Sequence, residues 1–107
     1  MQKIQQGDVV MKAISEFPKG ERVLDDQMRS KILAYGEVTG HAHRLMDAED
    51  MRVETFRILN VIYMNVKRTT MLTHEEHKEI ELPPGKYEIG IVRETDHMAG
   101  VTRQVAD

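Results

Sequence analysis

The sequence contains no cysteine and no tryptophan, and its aromatic residues are two phenylalanines and three tyrosines. Without cysteine, disulfide bonds and thiolate metal sites are excluded, which fits a reducing compartment, so we expect a cytoplasmic protein. Because aromatic side chains are few, the eight methionines are expected to fill part of the core. No apolar run could span a bilayer, and the polar opening 1–6 does not resemble a signal peptide, so no membrane association is expected.

Positive charge is also scarce, with 15 lysines and arginines against 18 acidic residues and a net charge of −3. No basic run exceeds the dipeptide Lys67-Arg68. Binding to a phosphate backbone requires clustered basic residues, so general nucleic-acid binding is not expected. The sequence also lacks a P-loop, a Gly-x-Gly-x-x-Gly motif and a nucleophilic serine motif. Catalytic residues therefore stay unknown, and no reaction is assigned.

Turn-forming residues recur at short intervals along the 107 residues, with no internal repeat and no linker. This length fits a single β-rich domain over residues 1–107. Eight segments rich in apolar and β-branched residues lie between the turns, and these candidate strands are 8–15, 31–39, 41–46, 52–59, 61–66, 69–73, 78–82 and 86–93. Such spacing is typical of a small all-β barrel or sandwich, with seven or eight mostly antiparallel strands.

The two-residue hydrophobic period is clearer in some candidate strands than in others. The last strand is the clearest, because Tyr87, Ile89 and Ile91 alternate with other residues after a Pro-Pro-Gly turn. The stretch 53–66 also matches a helical stripe, but its β-branched and aromatic content favours strands. The segment 24–33 has room for one short helix. We therefore predict an all-β fold with at most this one helix.

Four of the five histidines form two close pairs, His41-Ala42-His43 and His74-Glu75-Glu76-His77. Imidazole is a versatile metal ligand and the usual acid–base group near neutral pH. In a strand, residues i and i+2 share a face, so His41 and His43 point the same way as Leu45. These two histidines are therefore expected to face the core if Leu45 is buried.

The second histidine pair precedes the candidate strand 78–82. If that strand runs unbroken, the inward parity of Ile80 and Leu82 places His74 and Lys78 inside and His77 outside. A bend near Glu75-Glu76 would break this rule. We expect His41, His43 and His74 to converge, and whether His77 is a fourth member stays open.

Three converging imidazoles can hold a divalent metal and leave a coordination position open. A carboxylate from Glu37, Glu75 or Glu76 would complete the set. Zinc suits three histidines and is the first expectation, whereas iron, manganese or nickel suits histidines with a carboxylate. The open position would bind water or a small anion.

Plainer interpretations remain open for the same residues. His-x-His can hydrogen-bond backbone groups, and His-Glu-Glu-His can be a solvated turn, because its histidines are three apart and not four as in metalloproteases. Thr39-Gly40-His41 can offer amides to an anion or form a tight turn or bulge. His97 is interpreted as a surface residue.

Two function classes therefore remain. The first is a protein that binds a divalent metal or another small ligand through His41, His43, His74 and His77. The second is a non-catalytic interaction or assembly module, such as a phage or host accessory subunit, that pairs with a protein partner or forms a homo-oligomer. Exposed strand edges or an apolar, methionine-rich patch would serve that second function.

Three sequence blocks together resemble a family of small uncharacterised proteins from bacteria and their phages. The blocks are Gln6-Gly7-Asp8-Val9-Val10, the segment 36–43 that ends in His41-Ala42-His43, and the segment 74–87 that contains His-Glu-Glu-His and Leu-Pro-Pro-Gly-Lys-Tyr. This resemblance implies that the two histidine blocks belong together. It implies no particular activity.

A looser similarity links the chain to the cupins, which are small β-barrels with a metal site. His41-Ala42-His43 is similar to the first cupin motif, and Pro83-Pro84-Gly85 is similar to part of the second. The chain departs from the second motif because no histidine follows Gly85 in the stretch 86–88. A cupin-type centre would therefore need His74 or His77 as a substitute ligand.

Overall fold

The computed structural model describes residues 3–36, 40–46 and 52–92. Its elements in chain order are β1 (Lys3–Gln6), β2 (Val9–Ile14), α1 (Asp26–Arg29), β3 (Ile32–Tyr35), β4 (Ala42–Met46), β5 (Val53–Ile58), β6 (Val61–Val66), β7 (Thr70–Thr73), β8 (Ile80–Leu82) and β9 (Gly85–Ile91). The predicted all-β class with one short helix is confirmed. The predicted strand ends at 37–39 and 93 lie outside the described residues.

The described residues form nine strands, and the prediction of seven or eight missed β1. This strand is Lys-Ile-Gln-Gln, whose polar composition does not indicate a strand. It pairs antiparallel with β2, with Gln6 opposite Val9, across a two-residue turn at Gly7-Asp8. Gly7 has a φ of 58° there, a conformation that glycine adopts without strain. Because β1 lies at the edge of its sheet, it tolerates polar residues that face solvent.

The strands form two antiparallel sheets. The first has five strands in the order β1-β2-β9-β6-β5, and the second has four in the order β3-β4-β7-β8. Within the described residues these sheets do not close into a barrel. The sandwich is therefore the correct one of the two predicted architectures.

The core lies between the two sheets and takes one face from each strand. Its buried members alternate along the strands, as the two-residue period requires: Val9, Met11, Leu33, Leu45, Val53, Met64, Val66, Leu72, Leu82, Tyr87 and Ile89. Two methionines are among them, as the scarcity of aromatic residues predicted. Both sheets contribute, so each buries its apolar face against the other.

The short helix α1 lies inside the predicted segment 24–33. Asp25 is its N-cap, and the Asp25 side chain accepts a hydrogen bond from the backbone N–H of Met28. Arg57 on β5 donates to Asp25 and to Gln27, at 2.8 and 2.7 Å, and so fixes the helix to the sheet. In the part of the chain that the structure describes, no helix has the length and apolar character to cross a membrane.

A second, smaller apolar cluster covers the outer face of the five-stranded sheet. Phe56, Ile58 and Tyr63 are buried there, and Phe17 packs edge-on against Phe56 with ring centroids 5.0 Å apart. Gly20 lies in the loop that covers this face, with a φ of 147°, and a Cβ at Gly20 would lie 2.7 Å from Cγ2 of Ile58. The close approach of loop and sheet therefore requires glycine at this position.

We expect Gly20→Ala to lower the free energy of unfolding by about 1–3 kcal/mol, because the added methyl group overlaps a buried side chain. The matched control is Gly90→Ala on β9, where a Cβ would contact nothing within 4 Å. Urea unfolding of both variants measures the difference. Equal stabilities for the two variants would contradict the packing described here.

The turn between β5 and β6 contains two residues with positive φ, Leu59 at 50° and Asn60 at 68°. These angles match the two-residue turn that suits antiparallel hairpins, but a leucine is an unusual residue for the first position. The Leu59 side chain is 86% exposed, so core packing does not account for it. The left-handed conformation of this residue costs free energy that no buried contact of the side chain recovers.

Leu59→Asn should therefore raise the free energy of unfolding, by about 1 kcal/mol, because asparagine tolerates the left-handed conformation better. Thermal unfolding followed by circular dichroism tests this expectation. An unchanged or lowered melting temperature would show that the Leu59 side chain stabilises the fold despite its exposure, which would contradict this expectation.

Candidate functional site

The two histidine blocks meet because β4 and β7 are neighbours in the four-stranded sheet. The two strands run antiparallel, with Arg44 opposite Thr73. Continuing this register by one residue places His43 opposite His74. The pairing of two strands, and not any local motif, therefore brings the two blocks to one place.

His74 lies at the centre of the resulting cluster of four imidazoles. Its ring centroid is 4.4 Å from that of His43, 4.6 Å from that of His77 and 5.7 Å from that of His41. The rings of His43 and His77 are stacked at 5.8 Å. The structure therefore brings together all four histidines that the sequence selected.

Strand parity predicted the orientation of some of these residues correctly. His43 is fully buried, and Leu45 and His74 are 5% and 8% exposed, so all three face inward as expected. Lys78 is exposed, which makes its predicted inward position wrong. His77 was expected outside if the strand ran unbroken, but the chain bends at 75–77 and turns its ring back towards His74.

Several imidazole nitrogens of the cluster are buried without a hydrogen-bond partner. Within the described residues these include Nδ1 of His41 and Nε2 of both His74 and His77. Buried polar atoms in folded proteins nearly always have a partner, and the exceptions are typical of sites that take an ion or an ordered water. The cluster therefore holds three buried nitrogens to which the described residues offer no hydrogen bond.

Gln6, the last residue of β1, connects the histidine cluster to the neighbouring backbone through hydrogen bonds of its side-chain amide. Its Nε2 donates to the backbone carbonyls of Leu72 and Lys78, both at 3.0 Å, and its Oε1 lies 2.8 Å from Nδ1 of His43. The Gln6 side chain is buried, with 2% exposure. One amide thus joins the edge strand, the end of β7 and the segment before β8.

Asp8 approaches His43 from the opposite side of the ring. Its Oδ1 lies 3.5 Å from Nε2 of His43, a distance for an ion pair and not for a short hydrogen bond. The sequence-based prediction left Gln6 outside the candidate strands, began the first strand at Asp8, and missed both contacts. The chain carries no local signal for them, because the contacts depend on β1 folding beside strands far away in sequence.

Glu75 is fixed by two neighbours on β4. The backbone N–H of Ala42 donates to its Oε1 at 2.9 Å, and Nη1 of Arg44 lies 3.7 Å from its Oε2. The Ala42 amide, followed by the backbone N–H of Glu75 itself, lowers the pKa of this carboxyl below its ordinary 4.5. Partial burial opposes this shift, and the nearby imidazoles of His41 and His74 add to it. Glu75 is therefore a carboxylate at neutral pH.

Among the residues that the structure describes, one group has its candidate ligand atoms all within 4.8 Å of one another: His41, His74 and Glu75. Glu75 was one of three carboxylates expected to complete the histidine set. Glu76 lies next to the group, with Oε2 3.6 Å from Nδ1 of His41. The third, Glu37, and the remaining histidine, His97, lie outside the described residues.

Gly40 belongs to the turn that joins β3 and β4. Its φ is 88°, and the backbone N–H of Gly36 donates to the carbonyl of His41 at 2.8 Å to close this turn. Thr39 lies outside the described residues, so the choice between the two interpretations of Thr39-Gly40-His41 stays open.

The Glu75 carboxyl should titrate below pH 4.5, since the Ala42 amide favours its charged form. A depressed pKa in the folded state contributes stability above the ordinary pKa, and that contribution is lost as the pH falls through the folded value. Carbon-detected NMR of the side-chain carboxyl, together with the Ala42 amide shift, measures the titration. A midpoint at or above 4.5, or an Ala42 amide that does not respond, would contradict the contact.

Comparison with known proteins gives one match. No curated protein and no solved structure matches the chain, but residues 5–92 match the family model described as Domain of unknown function (DUF8820). The matched range contains β2 to β9, both histidine blocks and Gln6. The family description states no activity, which agrees with the uncharacterised family that the sequence blocks resemble. The chain belongs to the family of the domain of unknown function DUF8820.

Proposed function

We propose that this protein binds a divalent cation, with zinc as the preferred ion, through His41, His74 and Glu75. The observation that carries the proposal is the proximity of their candidate ligand atoms, all within 4.8 Å of one another. Two imidazoles and one carboxylate are a ligand set that holds zinc in enzymes and iron(II) in oxygenases, in both cases with positions left open.

The distances are compatible with one ion after a small movement of the side chains. Ligand atoms about 2.1 Å from a tetrahedral zinc lie about 3.4 Å from one another. The ligand atoms of the group lie at most 4.8 Å apart, so each pair must approach by at most about 1.4 Å to bind one zinc ion. His41 and Glu75 are half-buried or exposed, so their side chains have room to make it.

The surroundings of the three ligands support a metal over a purely structural role. The Ala42 amide orients the Glu75 carboxylate and keeps it charged, as a metal ligand requires. His41 and His74 each bury a nitrogen without a hydrogen-bond partner in the described part of the chain. A cation would satisfy both nitrogens and neutralise the carboxylate.

Zinc binding at His74 competes with a hydrogen bond and a proton on its ring. The backbone N–H of Glu76 donates to Nδ1 of His74 at 3.0 Å, so the neutral ring carries its own proton on Nε2. A cation bound at Nε2 requires the proton to move to Nδ1, and one bound at Nδ1 displaces the Glu76 amide, so either mode loses the Glu76 hydrogen bond. Either route costs free energy that a bond to zinc must exceed, which favours the ions that bind imidazole most strongly.

Glu75→Gln should weaken zinc binding at least tenfold, because a neutral amide replaces a charged ligand that sits directly on the ion. Glutamine retains an oxygen that can accept from Ala42, so the fold is expected to stay intact. Isothermal titration of chelator-treated protein with zinc, repeated with manganese and iron(II), measures the change.

The matched control is Glu81→Gln on β8, where an exposed carboxylate outside the cluster loses the same charge. This variant should bind zinc like the wild type. Equal zinc affinity in the wild type, Glu75→Gln and Glu81→Gln would overturn the proposed site, as would a wild type that binds none of the three ions.

A further inference from the structure

The orientation of the Gln6 amide follows from the groups that surround it. Two backbone carbonyls, those of Leu72 and Lys78, lie 3.0 Å from one end of the amide. Carbonyl oxygens accept only, so that end must be the NH2 group, whose two protons they bind. The other end is Oε1, which can only accept a hydrogen bond.

This orientation decides which nitrogen of His43 carries a proton. Nδ1 of His43 lies 2.8 Å from Oε1 of Gln6 in a fully buried position, so Nδ1 must be the donor. The neutral ring then holds its lone pair on Nε2. Metal-binding histidines are commonly fixed in this way, by a neighbouring oxygen that accepts from the nitrogen opposite the metal.

Nε2 of His43 lies beside a second group that can bind a cation, the Asp8 carboxylate. Oδ1 of Asp8 lies 3.5 Å from Nε2 of His43, close to the ligand separation of about 3.4 Å in a tetrahedral zinc site. A divalent cation beside both groups would bind the imidazole lone pair and the carboxylate oxygen together. The ring of His43 also lies 4.4 Å from that of His74, so this pair of groups adjoins the proposed ligands.

We propose that Gln6 is the positioning residue of the cluster. It holds His43 as the Nδ1–H tautomer, so that Nε2, beside Asp8 and next to the ring of His74, is presented to a divalent cation. The tautomer itself requires no metal. The cation in this proposal rests on the proposed function, whereas the role of Gln6 in fixing the ring stands without it.

Long-range ¹H–¹⁵N NMR of the metal-free protein tests the tautomer directly. At about pH 8.5, above the ordinary range of imidazole, His43 should show a protonated Nδ1 and an unprotonated Nε2. A spectrum with the proton on Nε2 would overturn the proposal, whether or not zinc binds.

Two substitutions of Gln6 separate positioning from structural support. Gln6→Glu keeps an oxygen that accepts from Nδ1 but loses both hydrogen bonds to the carbonyls of Leu72 and Lys78. Gln6→Met loses all three. If Gln6 positions the ring, Gln6→Glu retains the Nδ1–H tautomer and Gln6→Met does not. Loss of the tautomer in both variants would show that Gln6 only supports the fold, which would contradict the proposal.

Zinc affinity provides the second measurement. Gln6→Met should weaken zinc binding by about 10–100-fold, the usual effect of removing an outer partner of a histidine ligand, and Gln6→Glu should weaken it much less. Gln5→Met, at the exposed neighbouring position, is the control and should match the wild type. Equal losses in Gln6→Met and Gln6→Glu would contradict the positioning role. A wild type with the predicted tautomer that binds no zinc would refute the proposed function and leave the role of Gln6 intact.

Discussion

The antiparallel register of β4 and β7 is the constraint on which the candidate site depends. With Arg44 opposite Thr73, the residues just beyond the ladder are His43 and His74, and a shift by one residue would turn one of them to the other face. Two buried leucines beside the histidine blocks, Leu45 after the first and Leu72 before the second, hold this register because the same shift would expose them. The core thus positions the histidines, although none of them belongs to it.

Placing four imidazoles beside one another, with His43 and His74 buried, works against stability, because apolar side chains of the same volume would need no hydrogen-bond partners. The structure compensates in part through Gln6, which binds two carbonyls and one imidazole with a single buried amide. Buried polar groups that remain without partners are typical of functional sites, where binding supplies the missing contact. These buried nitrogens and the adjacent carboxylates are the observations on which we base the proposed cation site.

The sequence predicted the parts of this arrangement that follow from short-range periodicity. Alternation along β4 placed His43 and Leu45 inward, and the turn residues separated most strands within one or two positions. The prediction from the sequence failed where the chain departs from the two-residue period of a strand. The bend at 75–77 returns His77 to the cluster and leaves Lys78 exposed, and the polar strand β1 carries no apolar signal. Gln6 could not be recognised as a site residue because its partners lie 37, 66 and 72 positions away.

The most direct test of the proposed cation site at His41, His74 and Glu75 is anomalous diffraction at the zinc edge from crystals of the zinc-loaded protein. We expect one strong peak about 2.0–2.2 Å from a nitrogen of His41, a nitrogen of His74 and an oxygen of Glu75, with any second peak between His43 and Asp8. Zinc peaks confined to other surface positions, with the imidazoles still free of metal, would contradict it.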